Sequence, residues 1–167
     1  RRDSSCFAET YQSLFGEAFP SIDWSQYPHV TDTTIFHTVF EKQFLRLPEA
    51  DELQRFQEAY VTLLQEKRRQ DPGHSLEVPG ARQLMERLRR EQHFTLGVAT
   101  GGWRRPAHRK LQHVGISTEE LPLEGADGKH SREEIINALL DQVHTQCPDI
   151  DRIIYIGDAV WDVATTR

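Results

Sequence analysis

Hydrophobic residues recur at helical spacing through the first seventy positions of the chain. Phe7 and Tyr11 share one face of a predicted helix, and apolar positions share a face again between residues 31 and 47. Residues 48–70 carry a proline and acidic side chains near their start and basic side chains near their end, an arrangement that suits the dipole of a third helix. We therefore predict a helical region over residues 1–72.

The pattern changes after residues 71–75, which include a proline and a glycine. Two short apolar runs rich in β-branched residues, 93–100 and 152–158, alternate with segments of helical periodicity. Alternating strands and helices are typical of a parallel, doubly wound sheet. We therefore predict an α/β region over residues 73–167.

The composition narrows the class of protein. The 167 residues are 37% hydrophobic and 28% charged, with a formal net charge of −6, values that suit a soluble globular domain. The acidic balance argues against nucleic acid or an anionic membrane as a partner. No apolar run is long enough for a bilayer-spanning helix and no signal peptide is visible, so we expect a cytoplasmic location.

Polar residues and glycines follow both predicted strands, at the edge where open α/β sheets bind ligands. Thr100, Gly101 and Gly102 offer a hydroxyl and unhindered backbone N–H groups, which suit a phosphate, although they would also form an ordinary strand-to-helix turn. Asp158 and Asp162 follow the second strand, where they would hold Mg²⁺ or cap the next helix. The residues alone leave both alternatives open.

Two cations lie at the start of a later predicted helix. Lys129 and Arg132 flank Ser131, the predicted N-cap, for which Glu134 completes a capping box. Positive charge there opposes the helix dipole, which indicates a bound anion nearby, although ordinary surface positions are the alternative. The hydroxyl of Thr100, a cation and the paired acids would together bind a phosphoryl group and its metal ion.

Three segments, "GVATGG", "DGKHSREEII" and "IIYIGDAVWDV", resemble motifs two, three and four of the haloacid dehalogenase (HAD)-like hydrolase superfamily. The segment "LEVPGARQLMERLR" is similar to the entry to the core in its phosphoglycolate phosphatase and β-phosphoglucomutase-like branch. The region around "HVTDTTIFHTVF" resembles the helical cap of that branch. The resemblance implies a Rossmann-like (HAD-like) parallel-sheet core over residues 73–167 and an α-helical cap over residues 1–72.

The resemblance also implies a phosphate site and a metal site. Thr100 would bind the transferring phosphoryl group, together with the backbone of Gly101 and Gly102. Asp158 would bind Mg²⁺ directly, and Asp162 would support the metal site. The expected cofactor is therefore Mg²⁺, and the expected partner is a small phosphorylated metabolite.

Further roles follow from the same resemblance. Lys129 would neutralise the phosphoryl charge, because its spacing to the next helix matches the family's lysine-then-helix pattern, and Arg132 is the competitor for that role. Thr31 and Asp32 in the cap, and Trp103 after the phosphate loop, would approach the substrate. The alternatives are that Asp32 only caps its helix and that Trp103 is a packed aromatic.

The family's first motif, DxDx[TV], has no counterpart in the chain. That motif supplies the aspartate nucleophile and the general acid/base. Asp3 has neither a preceding strand nor a second aspartate two positions on. We therefore expect the nucleophile upstream of Arg1 and further core strands after Arg167, in a chain that is incomplete at both ends; a degenerate family member is the alternative.

These expectations predict a Mg²⁺-dependent phosphatase that hydrolyses a small phosphomonoester through an aspartyl-phosphate intermediate. A sugar phosphomutase of the same superfamily is one alternative, and a non-catalytic binding module with the same fold is another. A haloacid dehalogenase fits less well, since the hydroxyl, the cation and the paired acids suit phosphate and metal.

Overall fold

The computed structural model describes residues 2–27, 29–74, 76–91 and 93–157, together with Asp162 and Thr165. Three helices form the first part of the chain: α1 (Arg2–Phe15), α2 (Asp32–Phe44) and α3 (Ala50–Gln70). Short 3-10 turns occupy Trp24–Gln26 and Pro72–His74. The helices predicted for this part of the chain are confirmed.

Aromatic side chains make up much of the core between these helices. The buried members from the helices are Phe7, Tyr11, Phe36, Phe40, Phe56 and Tyr60. Many of these rings meet edge to face, as do those of Phe7 and Phe56, whose centroids are 4.8 Å apart. Trp103, from the second part of the chain, stacks on Phe7 at 5.7 Å and completes this cluster, which we call the aromatic core. The aromatic core therefore joins the two parts of the chain.

Up to residue 157, the described residues of the second part form two parallel strands and three helices: α4 (Ala81–Arg90), β1 (Val98–Ala99), α5 (Arg104–His113), β2 (Leu123–Glu124) and α6 (Arg132–Gln146). β1 pairs with β2 in parallel, with Val98 opposite Leu123. α5 connects the two strands, and α6 packs against both. The predicted α/β class is confirmed. None of the described helices is long and apolar enough to cross a membrane.

The N-termini of α2 and α6 have polar caps. The hydroxyl oxygen of Thr31 accepts a hydrogen bond from Thr34 N at 3.2 Å, which caps α2. Ser131 caps α6 as predicted. The Glu134 carboxylate, however, accepts from His130 N at 2.8 Å, one residue before the N-cap, so only half of the predicted capping box forms.

The strands of the sheet differ from the predicted ones. The prediction of a strand over residues 93–100 is wrong in extent, because only Val98 and Ala99 pair with β2. β2 is not predicted at all, because two residues are too few to give a periodic hydrophobic signal.

The strand predicted over residues 152–158 is not formed by residues 152–157, and Asp158 lies outside the described residues. Residues 151–157 have no strand assignment, and Ile153, Ile154 and Ile156 are 56%, 68% and 78% exposed. A strand needs a neighbour that shares its backbone hydrogen bonds, and the described sheet contains only β1 and β2. The helix predicted to follow lies largely outside the described residues.

Candidate active site

Two loops follow the parallel strands: residues 100–103, called the β1 loop, and residues 125–130, called the β2 loop. Gly102 N donates to Thr100 Oγ1 at 3.2 Å, so the β1 loop folds back on its own hydroxyl. Ala126 N donates to Gly102 O at 3.0 Å, which joins the two loops. Because β1 ends at Ala99, Thr100 lies at the carboxyl end of this strand, where open α/β sheets bind ligands.

Gly101 is enclosed by two other segments of the chain, residues 30–32 and the start of α6. Its carbonyl oxygen accepts from Asp32 N at 2.7 Å. A Cβ atom at this position would lie 2.5 Å from Val30 O and 2.7 Å from Arg132 Nη2. Real Cβ atoms do not approach other atoms so closely, so the close packing of the β1 loop requires glycine here.

Gly125→Ala is expected to lower the free energy of unfolding by about 1–3 kcal/mol, the usual cost of overpacking. The added Cβ would lie 2.6 Å from Gly102 O and 2.8 Å from Arg104 N, and these backbone atoms cannot move without shifting the β1 loop or the start of α5. Urea unfolding measures the loss. Gly73→Ala is the control, because its Cβ would meet its nearest neighbour at 3.8 Å. Equal stability of the two variants would contradict the expectation.

The ammonium group of Lys129 is bonded to oxygens of Glu124 and Asp127. Its Nζ donates to Glu124 Oε2 at 2.9 Å and to Asp127 O at 3.4 Å. The Glu124 side chain is 5% exposed; it also accepts from Gln142 Nε2, and Arg104 Nη1 lies 3.8 Å away. A buried carboxylate is stable only when it is paired and hydrogen-bonded. Lys129 therefore neutralises Glu124 in this structure.

Arg132, the first residue of α6, is the cation that lies against the β1 loop. Its Nη1 donates to Asp162 Oδ1 at 3.0 Å, and its Nη2 is the atom that a Cβ at Gly101 would meet. Tyr155 OH donates to the same Asp162 oxygen at 3.1 Å. Burial, together with this bond, raises the pKa of Tyr155. Gly101, Arg132 and Asp162, all predicted site residues, are thus brought together.

Asp158, the predicted Mg²⁺ ligand, lies outside the described residues. In the part of the chain that the structure describes, no group of three or more His, Cys, Asp or Glu side chains could hold a metal ion. Asp162 is 7% exposed, and its Oδ1 already accepts from Arg132 and Tyr155. The described residues therefore supply one buried carboxylate, that of Asp162 beside Gly157, and do not by themselves form a metal site.

The three residues predicted to approach the substrate lie where α2 meets the β1 loop. Thr31 is 1% exposed, and its hydroxyl donates to His130 O at 3.1 Å. Asp32 Oδ2 accepts from Trp103 N at 3.1 Å. The alternative in which Asp32 caps its helix is wrong, because Thr31 is the N-cap of α2. Trp103 lies in the aromatic core, as expected if it is a packed aromatic residue.

The electrostatics of Asp32 are dominated by its burial. Loss of hydration raises the pKa of Asp32 to about 6, and the nearby carboxylates of Asp3 and Asp127 act in the same direction. Lys110 and the hydrogen bond from Trp103 N oppose this rise in pKa. The protein therefore holds an ionised carboxylate at neutral pH at some cost in stability.

Asp32→Asn is expected to raise the free energy of unfolding at about pH 7.5 and to have little effect near pH 4. The folded pKa of Asp32, about 6, lies above the ordinary 3.8, so the wild-type protein loses stability as the pH rises from about 4 to above 6. Asparagine stays neutral, and its amide oxygen can still accept from Trp103 N. Denaturant unfolding at the two pH values measures the difference. An equal effect at both would contradict this assignment.

Two buried polar residues near the loops are missed by the sequence analysis, Thr33 and Glu124. Glu124 ends β2, and the only signal for it is a single acid after the short apolar run "LPL". Thr33 belongs to the run "TDTT", which contains more polar residues than one helix cap needs. That excess is a signal that could have marked the start of α2 as a contact site.

Comparisons with known proteins place the chain in a family. Residues 10–167 match the model of the haloacid dehalogenase-like hydrolases. The fold is similar to that of a hydrolase from Pseudomonas syringae, with a TM-score of 0.68, 15% sequence identity and coverage of 98% of this chain and 72% of that chain. No curated protein matches the chain. Because the family match spans nearly all of the sequence, the chain belongs to the haloacid dehalogenase-like hydrolase family.

Proposed function

We propose that this hydrolase releases phosphate from a small phosphomonoester. The observation that carries the proposal is the meeting of the β1 loop, the Arg132 guanidinium and the Asp162 carboxylate at the carboxyl end of β1. A hydroxyl, backbone N–H groups and a cation are the groups that bind a phosphoryl group in proteins. Membership of the phosphoglycolate phosphatase-like branch stays a prediction.

Thr100 and Arg132 would hold the phosphoryl oxygens. Thr100 Oγ1 accepts from Gly102 N, and its own hydrogen can then be donated to a phosphoryl oxygen. We assign the charge-neutralising role to Arg132, because its guanidinium lies against the β1 loop. Lys129, which the resemblance favours, is bonded to Glu124, and we assign it a supporting role in the β2 loop.

The proposed nucleophile is an aspartate upstream of Arg1. The described carboxylates beside the two loops already accept hydrogen bonds: Asp32, Glu124, Asp127 and Asp162. The upstream aspartate oxygen would attack phosphorus, and the ester oxygen would take a proton from the general acid of the same upstream motif and leave as the alcohol. Water would then attack the aspartyl-phosphate and release inorganic phosphate, which divides one difficult step into two easier ones.

Mg²⁺ is the cofactor of the proposed reaction. Asp158 would be its ligand, and Asp162 would support the site from the following helical turn, since carboxylate oxygens are the ligands that this hard cation prefers. When bound, the ion supplies positive charge that stabilises the phosphoryl group in the transition state. Asp162 itself holds the guanidinium of Arg132 and the hydroxyl of Tyr155 in place.

Product analysis with the full-length protein tests the proposal. A panel of small phosphomonoesters that includes hexose phosphates is incubated with the protein, and inorganic phosphate and remaining esters are quantified. Inorganic phosphate and alcohol in equal amounts are the expected products. An isomerised sugar phosphate without inorganic phosphate would instead identify a phosphomutase, and the absence of any product would favour a binding module.

A further inference from the structure

The start of α2 contacts the β2 loop through two threonine hydroxyls. Thr31 and Thr34 both donate to His130 O, at 3.1 and 2.7 Å. His130 lies two residues before Arg132, the first residue of α6. The start of α2 therefore contacts the last residue of the β2 loop, two residues before Arg132, the proposed phosphate-binding cation.

Thr33 bridges the β1 and β2 loops with a single hydroxyl group. Its Oγ1 accepts from Trp103 Nε1 at 2.9 Å and donates to Ala126 O. Thr33, Trp103 and Ala126 are 2%, 1% and 0% exposed, so water cannot replace either bond. A buried donor or acceptor that loses its partner destabilises the protein by more than one hydrogen bond stabilises it. Thr33 therefore holds both loops strongly.

Asp32 holds the β1 loop at two points, Gly101 and Trp103. Its backbone N donates to Gly101 O at 2.7 Å, and its Oδ2 accepts from Trp103 N at 3.1 Å. The same carboxylate oxygen would lie 3.3 Å from a Cβ at Gly102. The β1 loop is thus held against the start of α2 from Gly101 to Trp103.

The sheet beneath the loops is short, and the contacts of α2 add to those that hold the two loops together. β1 and β2 have two residues each, and two backbone bonds follow them: Thr100 N donates to Glu124 O, and Ala126 N donates to Gly102 O, both at 3.0 Å. We propose that Asp32 and Thr33 are positioning residues, which set the spacing between the β1 loop with Thr100 and the β2 loop that leads to Arg132. The proposal rests on the proposed function only for the identity of the bound group, a phosphoryl oxyanion.

Thr33→Val removes the bridging hydroxyl and keeps the shape of the side chain. In the full-length protein we expect the KM for the phosphate ester and the Ki of inorganic phosphate to rise about tenfold, with a lower kcat, because one lost hydrogen bond is worth about a factor of ten. A smaller amount of folded protein would lower the rate but would leave KM and Ki unchanged. Thr33→Ser restores the hydroxyl, and we expect it to restore both constants.

Thr10→Val is the matched control. Thr10 is also a buried threonine, 3% exposed, but its hydroxyl donates to Cys6 O within α1, far from the loops in sequence. We expect this variant to change the stability of the protein without changing KM or Ki.

Hydrogen–deuterium exchange provides a readout that does not depend on catalysis. We expect the amides of Gly102, Trp103 and Ala126 to exchange about tenfold faster in Thr33→Val than in Thr10→Val. Unchanged exchange in both loops, or a Ki equal to that of the control, would overturn the positioning role. If Thr33→Val does not fold, Trp103→Phe removes the same Nε1 bond and keeps a ring in the aromatic core. Faster exchange in a protein that hydrolyses no ester would uphold the positioning role and reject the proposed function.

Discussion

Arg132→Ala is expected to lower the kcat/KM of the full-length protein by about 100- to 1,000-fold, the range found when one preorganised donor to a developing oxyanion is removed. The guanidinium lies against Gly101 and donates to Asp162 at 3.0 Å, so the substitution removes the positive charge from the β1 loop. It also leaves the Asp162 carboxylate buried with one partner fewer, which adds to the loss. Initial rates with p-nitrophenyl phosphate, taken on protein shown to be folded by circular dichroism, measure the effect.

Lys129→Ala is the matched comparison. The ammonium group of Lys129 is bonded to Glu124 and to the Asp127 carbonyl. We therefore expect the substitution to lower kcat/KM by less than about tenfold and to lower mainly the stability of the protein. The resemblance to the family favours the opposite order. A larger loss of kcat/KM for Lys129→Ala than for Arg132→Ala would assign the charge-neutralising role to Lys129.

Trp103→Ala is expected to lower the free energy of unfolding by about 3–5 kcal/mol, the usual cost of removing a buried large aromatic side chain. The ring is 1% exposed, stacks on Phe7 and meets Phe56 edge to face at 5.8 Å. Its Nε1 also donates to Thr33. Because a domain has only about 5–15 kcal/mol of net stability, this one substitution removes a large part of it.

Trp24→Ala is the control for the loss of a tryptophan. Trp24 packs at the edge of the aromatic core and is only partly buried, so we expect a smaller loss than for Trp103→Ala. Urea unfolding of both variants measures the two losses. A loss below about 1 kcal/mol for Trp103→Ala would contradict its place in the core.

The helices could be predicted because their signals are local. Thr31 and Ser131 are polar caps that precede apolar periodicity, and Gly115, with a φ of 75°, follows the end of α5. The sheet could not be predicted in the same way, because a strand depends on neighbours that are distant in sequence. Residues 152–158 have the apolar character of a buried strand, and no described strand pairs with them.

The site could be predicted as a set of positions and not as a set of contacts. Thr100 and Arg132 lie at the ends of elements, which the sequence pattern locates. Whether Lys129 or Arg132 faces the β1 loop depends on the directions of two side chains three residues apart, and spacing along the chain does not determine these directions. Trp103 suits a substrate pocket and a core equally well by hydrophobicity, and only the packing against Phe7 distinguishes them.

The most direct test of the proposed phosphatase site is the release of inorganic phosphate from p-nitrophenyl phosphate by the full-length protein, with and without Mg²⁺, compared with its Asp158→Ala variant. The proposed site predicts release that requires Mg²⁺ and falls to background in Asp158→Ala, since that carboxylate is the proposed ligand. No release by the wild-type protein would contradict the proposed function. Equal release by the wild type and the variant would contradict the metal site.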